Sequence, residues 1–294
     1  MYDILGDIHG RASQLKHLLE KLGYSQVKGT FKHPERQAIF LGDFINKGTE
    51  SKEVLQIVRA MVQNGNAQAV IGNHELNLIG IFHQHKEGDF IRQRTDSNLQ
   101  QHQLTFDSFG GNTPELKEYI QWLKGLPIFM EANGFRVAHA FWHRQSIHFL
   151  RDHFPQNCLD DSLLQEMTPD SELYRAIQEI VVGLKLPLPK QKGGVFKAKW
   201  WNVGKTRAYD ELAIRPEPKL ENLDISLADI STEAYQYPEN EKPFFFGHYN
   251  LPGKPNLLAH NYTCLDYNTP EHPLIVAYRW DGEKLLNRRK LYWC

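Results

Sequence analysis

Short apolar stretches alternate with helical patterns over the first 75 residues, and this alternation limits the possible folds more than any other feature of the chain. The apolar stretches cover residues 2–5, 37–41 and 67–71 and are too short for helices. Between them, residues 13–23 and 51–64 carry apolar side chains at the spacing of one helix face. Strands that alternate with helices in this way predict a parallel sheet with right-handed crossovers.

Glycine and polar residues follow each of the three apolar stretches. Asp7 and His9 are two positions apart, so in an extended segment both side chains lie on one side and can reach the same ion. Asp43 follows the second stretch, and Asn73 and His74 follow the third. Because ligands collect at the carboxyl ends of the strands in sheets of this type, we expect these five side chains to meet in one site.

Two later strands are each predicted to end on a histidine. Residues 128–131 and 135–140 are predicted to form a hairpin with Asn133-Gly134 as its turn, and the second strand delivers His139. A run of three phenylalanines delivers His248. Closing strands are predicted at 262–266, 274–279 and 284–293.

The strand ends together offer a mixed set of carboxylate, amide and imidazole donors. Such a set suits borderline divalent ions such as manganese, iron or zinc, and does not suit calcium or magnesium alone. Six or seven donors are too many for one tetrahedral ion. They suffice for two ions about 3.5–4 Å apart that share one carboxylate, so the pattern predicts a two-metal site.

Composition excludes several other kinds of protein. The chain has 294 residues and a formal net charge of −1, so no overall positive field attracts nucleic acid or an anionic membrane. No apolar run approaches the roughly 18 residues of a membrane span. The first predicted strand begins beside Met1, so we expect no signal peptide. The three widely spaced cysteines favour neither a disulfide framework nor a zinc knuckle, and we expect a cytoplasmic protein.

Five motifs resemble, in order, those of calcineurin-like metallophosphoesterases. They are Gly-Asp-Ile-His-Gly at 6–10, Gly-Asp-Phe-Ile-Asn-Lys-Gly at 42–48, Gly-Asn-His-Glu at 72–75, Ala-His-Ala at 138–140 and Gly-His at 247–248. The similarity is closest to the phosphoprotein phosphatase branch, which includes symmetrical diadenosine tetraphosphatases. The resemblance implies an α/β fold in which a two-sheet β-sandwich is flanked by helices. It also implies a single domain over 1–294, with insertions at about 84–112 and 141–243 over the site.

The resemblance implies a role for each matched residue. Asp7 and His9 would hold the first ion, and Asp43 would bridge the two. The second ion would be completed by Asn73, His139 and His248. His74 would be the general acid that protonates the leaving oxygen, while a hydroxide between the metals attacks phosphorus. Manganese is the expected ion, with iron, zinc, nickel or cobalt as alternatives.

The second motif departs from the family pattern at two positions, where the family usually has Asp and Arg. Asn46 could accept a hydrogen bond from His74 but brings no charge, so we expect the pKa of His74 to be less raised than in the family. Lys47 offers a point charge to phosphate where Arg would offer a two-pronged fork. Both changes predict a working but slower enzyme.

Cations outside the motifs could contact the substrate. Arg92, Arg94 and His102 lie in the first insertion, and we expect them either to bind phosphate or to belong to a solvated loop. From the later half, the candidates for a phosphate-binding cation are Arg144, Lys199 and Arg207.

The predicted function is hydrolysis of phosphomonoesters, either on a phosphoprotein or on a small phosphorylated substrate. The alternatives are hydrolysis of dinucleoside polyphosphates such as diadenosine tetraphosphate, and a weakly active metal-binding member. A nuclease is disfavoured, because Asn250 stands where nucleases of the wider superfamily have a second histidine and no basic stripe is present. An aromatic slot with several cations would suit a dinucleotide, whereas an open groove would suit a phosphoprotein.

Overall fold

A computed structural model describes residues 1–86, 88–132, 134–189, 193–220, 223–227 and 230–294. Asn133 of the predicted hairpin turn lies outside these ranges. The helices are α1 (Ala12–Lys21), α2 (Ser51–Gln63), α3 (Asn73–Phe82), α4 (Asp96–Gln100), α5 (Gln103–Ser108), α6 (Pro114–Lys124), α7 (Arg144–His153), α8 (Asp161–Glu166), α9 (Glu172–Val181) and α10 (Tyr209–Leu212). The strands are β1 (Tyr2–Leu5), β2 (Ser25–Val27), β3 (Thr30–Lys32), β4 (Gln37–Phe40), β5 (Ala67–Ala69), β6 (Phe129–Ala132), β7 (Phe135–Ala138), β8 (Lys185–Pro187), β9 (Val195–Lys197), β10 (Phe244–Phe246), β11 (Tyr262–Cys264), β12 (Asp266–Asn268), β13 (Pro273–Trp280) and β14 (Leu291–Trp293).

The first sheet contains the three strands that the N-terminal pattern predicts. Its order is β12-β13-β1-β4-β5, and β14 also pairs with β13. β1 runs parallel to β4, with Ile4 opposite Ile39, and β4 runs parallel to β5, with Ile39 opposite Gln68. The predicted parallel sheet is therefore confirmed, and β13 extends it in the antiparallel direction beside β1.

The second sheet has the order β11-β10-β7-β6 and packs on the first through aromatic side chains. β6 and β7 form the predicted antiparallel hairpin, and β10 runs parallel to both β7 and β11. The ring of Phe245 lies 5.0 Å from that of Tyr278, and the ring of Phe135 lies 4.7 Å from that of Trp280. Such packing of large aromatic rings, edge-to-face for Phe135 and Trp280 and tilted for Phe245 and Tyr278, forms the core between the layers. The predicted two-sheet sandwich is therefore confirmed.

The two N-terminal helices cover the first sheet with the faces that their periodicity predicts. α1 buries Leu15, Leu18 and Leu19, while α2 buries Val54, Leu55, Val58 and Met61. These residues belong to the hydrophobic core that also contains the strands. Each of these two helices therefore packs in the same core as the strands whose ends carry the predicted ligands.

The C-terminal region differs from the prediction. Only residues 291–293 of the predicted strand 284–293 pair with β13. In the preceding segment the Lys290 ammonium donates to Asp281 at 3.0 Å and to Glu283 at 2.8 Å. These ion pairs accompany a short 3-10 helix at Arg288–Lys290 in place of the predicted strand, which the apolar pattern alone does not reveal. In the part of the chain that the structure describes, no helix is long and apolar enough to span a membrane.

Candidate metal centre

The carboxyl ends of β1, β4, β5, β7 and β10 converge, and tight backbone turns aim their side chains inward. His9, Asp43 and His248 have φ angles of 50°, 51° and 74°, a left-handed conformation that non-glycine residues adopt only when the surrounding structure enforces it. Close approach also requires Gly72, because a Cβ atom there would lie 2.3 Å from the Asp43 carboxylate. A Cβ atom at Gly247 would likewise lie 2.0 Å from Asp7 Oδ1.

The two carboxylate oxygens of Asp43 face two different sets of metal-binding side chains, here called the first and second donor groups. Oδ2 lies 3.6 Å from His9 Nε2, and Oδ1 lies 3.3 Å from His139 Nε2. Burial acts to raise the pKa of Asp43, but the charges of His139 and His74 outweigh it and hold this pKa well below its usual value. Asp43 is therefore a carboxylate with one acceptor oxygen available to each group.

The second donor group consists of Asp43, Asn73, His139 and His248. Asn73 Oδ1 lies 3.2 Å from His139 Nε2 and 2.6 Å from His248 Nδ1. Neighbouring ligands of a cation with bonds near 2.1 Å are separated by about 3–3.4 Å, so the separation of Asn73 and His139 fits a divalent ion. The shorter separation of Asn73 and His248 is that of a hydrogen bond and would have to widen for both to bind one ion. Two imidazoles, an amide oxygen and a carboxylate are donors that borderline ions accept.

The first donor group consists of Asp7, His9 and Asp43. Asp7 Oδ2 lies 3.6 Å from His9 Nε2, while Asp7 Oδ1 accepts a hydrogen bond from the His248 backbone at 3.1 Å. Burial, with the nearby charges of Asp266 and Asp43, raises the pKa of Asp7 well above its usual value. A cation between these carboxylates would offset that repulsion, so the buried donor set also fits a divalent ion at this position.

Backbone carbonyls fix the ring nitrogens that face the donor groups. His139 Nδ1 lies 2.7 Å from the carbonyl oxygen of Leu41, and His9 Nδ1 lies 3.2 Å from that of Ile45. Each Nδ1–H donates to its carbonyl, so each Nε2 atom carries the lone pair that could bind a metal. In His9 this lone pair accepts the Lys47 ammonium, which would have to move when a metal binds. Burial lowers the pKa of His9 well below its usual value, so that ring stays neutral, as ligation requires.

Glu75 links the backbone of the second motif to that of the third through hydrogen bonds. Its carboxylate accepts backbone N–H groups of Asp43 and Phe44 at 2.8 Å each and of Gly72 at 3.1 Å. Burial and the charge of Asp43 raise the pKa of Glu75 to about 7. The residue has no exposed surface, so it positions Asp43 and does not contact substrate.

His74 and Asn46 lie together, but the Asn46 amide is not oriented as the sequence predicts. Its nitrogen, rather than its oxygen, lies 2.7 Å from His74 Nδ1, and its oxygen accepts the Thr105 hydroxyl at 2.6 Å. The other ring nitrogen of His74 lies 3.8 Å from Asp43 Oδ2, and the side chain is 22% exposed. Burial lowers the pKa of His74, with Lys47 adding to the effect.

The structure places two lysines at the donor groups. Lys47 Nζ lies 2.7 Å from His9 Nε2, so the ammonium donates to the nitrogen that faces both carboxylates. Lys197 Nζ donates to the carbonyl oxygen of His248 at 2.9 Å and lies 5.2 Å above the Tyr249 ring. Burial lowers the pKa of Lys197 to about 8, while Asp266 and Asp43 act in the opposite direction.

Sequence reasoning missed Lys197 and pointed to other cations instead. Of those, Arg144 pairs with Glu241 at 3.3 Å, Lys199 lies near Asp210 and Glu211, and Arg207 is exposed. The only sequence signal for Lys197 is the basic and aromatic segment in which it stands, and that signal does not distinguish it from Lys199.

The three cations of the first insertion have other partners. The Arg92 guanidinium donates to Asn77 at 3.0 Å and to Gln101 at 2.8 Å, and Arg94 lies 5.4 Å from the Phe90 ring centre. The contact of Arg92 and Arg94 with substrate remains a prediction. His102 is 1% exposed and lies behind Asn46, 3.0 Å from its amide nitrogen, so it belongs neither to a solvated loop nor to the exposed surface of the site.

Comparison with known proteins identifies the class to which this fold and site belong. Residues 2–181, more than half of the chain, match the family described as calcineurin-like phosphoesterases, and the chain belongs to that family. This membership confirms the resemblance that the motifs suggest, and members of such a metallophosphoesterase family require divalent metal ions.

Particular relatives match over shorter stretches. The asymmetrical bis(5'-nucleosyl)-tetraphosphatase PrpE of Halalkalibacterium halodurans is 42% identical over 74 residues, or 25% of this chain and 30% of that protein. A symmetrical bis(5'-nucleosyl)-tetraphosphatase of Marinomonas sp. is 35% identical over 94 residues, or 31% of this chain and 30% of that protein. The chain therefore spans less than a third of the length of either relative.

A solved structure supports the fold alone. A serine/threonine phosphatase of Saccharomyces cerevisiae superposes with a TM-score of 0.50 and 13% identity, over 99% of this chain and 78% of that chain.

Proposed function

We propose that this chain is a two-metal hydrolase that cleaves phosphoanhydrides in dinucleoside polyphosphates. The observation that carries the proposal is Asp43, which turns one carboxylate oxygen toward each donor group. A carboxylate shared by two divalent cations suits a pair about 3.5–4 Å apart, the separation at which such a pair clamps a phosphoryl group. When bound, the cations would supply Lewis acidity and activate water near neutral pH.

The side chains around the donor groups have complementary roles. Asp7 and His9 would hold one cation, while Asn73, His139 and His248 would hold the other together with Asp43. We propose manganese for both positions, because the donors mix carboxylate oxygen with imidazole nitrogen. His74 is partly exposed, with Nε2 on the Asp43 side, so it would lie beside the leaving oxygen. Lys47 and Lys197 would neutralise phosphate charge that the cations leave uncompensated.

The relatives favour a dinucleotide over the phosphomonoester that the sequence predicts. Both relatives described above are named bis(5'-nucleosyl)-tetraphosphatases, although they match over a limited length. The second insertion reaches the ligand-bearing loop, because Trp201 packs 4.9 Å from Tyr249, the residue after His248. The cavity of about 750 Å³ that this insertion walls is lined by none of the proposed metal ligands, so it does not distinguish between the two substrate classes.

A substrate panel tests the proposal. The chelated protein is reloaded with manganese, and rates are measured on diadenosine tetraphosphate, p-nitrophenyl phosphate and a phosphoserine peptide. We expect the highest kcat/KM on diadenosine tetraphosphate. Asp43→Asn should lose at least a hundredfold, whereas Asp152→Asn, on the exposed side of α7, should keep the wild-type rate. Faster hydrolysis of the phosphopeptide would instead establish a phosphomonoesterase, and full activity of Asp43→Asn would contradict two-metal catalysis.

A further inference from the structure

His248 stands on a loop, residues 247–251, whose backbone needs support from outside the loop. His248 and Asn250 have φ angles of 74° and 46°, in the left-handed region that non-glycine residues adopt only when the surrounding structure enforces it. The Tyr249 N–H donates to the Gly247 carbonyl at 3.0 Å, whereas the next two N–H groups have their acceptors outside the loop. The position of His248 therefore depends on the segment that supplies those acceptors.

Asp266, a fully buried residue of β12, supplies the acceptors for this loop. Its Oδ2 atom accepts the Asn250 backbone N–H at 2.7 Å and the Asn250 side-chain NH2 group at 2.9 Å. Its main-chain carbonyl accepts the Leu251 N–H at 2.8 Å, and its Oδ1 atom accepts the Asn268 backbone N–H at 2.9 Å. Both carboxylate oxygens are therefore in use, and at a buried position a donor that loses its acceptor stays unpaired.

The strand β12 gives these acceptors a fixed position. It pairs with β13 in the first sheet, with Asp266 opposite Ile275, and β13 pairs in turn with β1, which precedes Asp7. Strands and helices hold a functional side chain more precisely than loops do. The Asp266 carboxylate therefore ties the His248 loop to the same sheet that carries Asp7.

The loop that Asp266 holds contacts both donor groups. The His248 backbone N–H donates to Asp7 Oδ1 at 3.1 Å and to Oδ2 at 3.2 Å, and the His248 ring lies 2.6 Å from Asn73 Oδ1. A single residue separates Asn250 from His248, so a shift of Asn250 moves these contacts as well. Asp266 itself has no exposed surface and does not contact substrate.

We propose that Asp266 is the positioning residue of the His248 loop, and that its carboxylate, through Asn250, keeps His248 and Asp7 where two divalent cations require them. This inference rests on the proposed two-metal function and adds a residue that acts through the ligands without binding metal itself. Partners that orient metal ligands typically contribute about tenfold to a hundredfold to metal affinity. Asp266→Asn replaces one acceptor oxygen by an NH2 group, so either Asn250 or Asn268 then faces a donor.

Calorimetric titration of the chelated protein with manganese is the first test. We expect Asp266→Asn to bind manganese at least about tenfold more weakly than the wild type. Asp3→Asn is the matched control, because Asp3 is a buried carboxylate at the other end of β1 that accepts Arg36 and Arg279 at 3.0 Å each. This control should lose stability but keep the wild-type affinity. Unchanged affinity in Asp266→Asn, or an equal loss in Asp3→Asn, would overturn the proposal.

An exchange of the two side chains separates positioning from a general loss of folding. In the double variant Asp266→Asn/Asn250→Asp, the amide and the carboxylate trade places and can again bond to each other. The double variant should bind manganese at least about threefold more tightly than Asp266→Asn alone, which is the coupling that a double-mutant cycle measures. A double variant that gains less than this would contradict positioning through Asn250.

Amide hydrogen exchange of the metal-free protein examines the loop without catalysis and without metal. In Asp266→Asn the His248 N–H, two residues from the altered contact, should exchange at least about tenfold faster than in the wild type. If the Asn250 N–H is released while the His248 N–H stays protected, Asp266 does not position His248, even where two-metal hydrolysis is confirmed. Conversely, release of the His248 N–H in a protein whose wild type binds no manganese would reject the two-metal function and retain the positioning role of Asp266.

Discussion

His102 should make the folded protein sensitive to acid. The variant His102→Gln measures that sensitivity. The ring is buried and neutral, with a pKa of about 3, whereas in the unfolded chain a histidine has a pKa of about 6.5. Between these values the unfolded state binds one more proton than the folded state. Stability contributed by the neutral ring is therefore present above pH 6.5 and is lost as the pH falls toward 3.

The size of the effect follows from the two pKa values. Each pH unit below 6.5 costs about 1.4 kcal/mol, so between pH 7 and pH 5 the wild type should lose about 2 kcal/mol through His102. Glutamine does not titrate and can still accept a hydrogen bond from Asn46. The difference in unfolding free energy between wild type and His102→Gln should therefore shrink by about 2 kcal/mol over this range.

Urea unfolding followed by tryptophan fluorescence at pH 7, 6 and 5 provides the measurement. Contributions from other histidines are common to both proteins and cancel in the difference. His148→Gln, on the exposed face of α7, is the matched control for a histidine-to-glutamine change away from the site. If the wild type and His102→Gln lose stability in parallel, His102 is not held neutral in the fold, and this reasoning is refuted.

Two further substitutions test residues that support the site. Glu75→Gln replaces an oxygen that accepts two backbone N–H groups by an NH2 group, so two buried donors lose their acceptor. Urea unfolding should show that the free energy of unfolding falls by about 2 to 6 kcal/mol. An unchanged midpoint would refute this positioning role. Lys197→Gln removes a cation beside His248 and should raise KM for diadenosine tetraphosphate about tenfold, equivalent to about 1.4 kcal/mol, with little change in kcat. Lys199→Gln is its control, and equal KM values for the two variants would show that Lys197 does not contact substrate.

The sequence was sufficient to predict which strand ends would meet. Apolar stretches that alternate with helices define a parallel sheet, and the side chains that follow each stretch must then lie at one edge. The structure brings Asp7, Asp43 and Asn73 together there with His139 and His248. The assignment of these residues as metal ligands stays a prediction.

Contacts between side chains that are distant in sequence could not be predicted in the same way. Lys197 stands on β9, whose only strand partner among the described residues is β8, so no local pattern connects it to the site. His102 lies in a polar segment without periodicity, which resembles a solvated loop but places this ring in the interior. The orientation of Asn46 depends on Thr105, 59 positions away, and only the folded chain brings the two together.

The metal content and electron paramagnetic resonance spectrum of the manganese-loaded protein test the central claim most directly. If Asp43 bridges two cations, the protein should bind two manganese ions per chain and show the spectrum of an exchange-coupled pair. Asp43→Asn should lose the coupled signal, and Asp152→Asn should retain it. A single bound ion, or two ions with the spectrum of isolated manganese, would contradict a two-metal centre at Asp43.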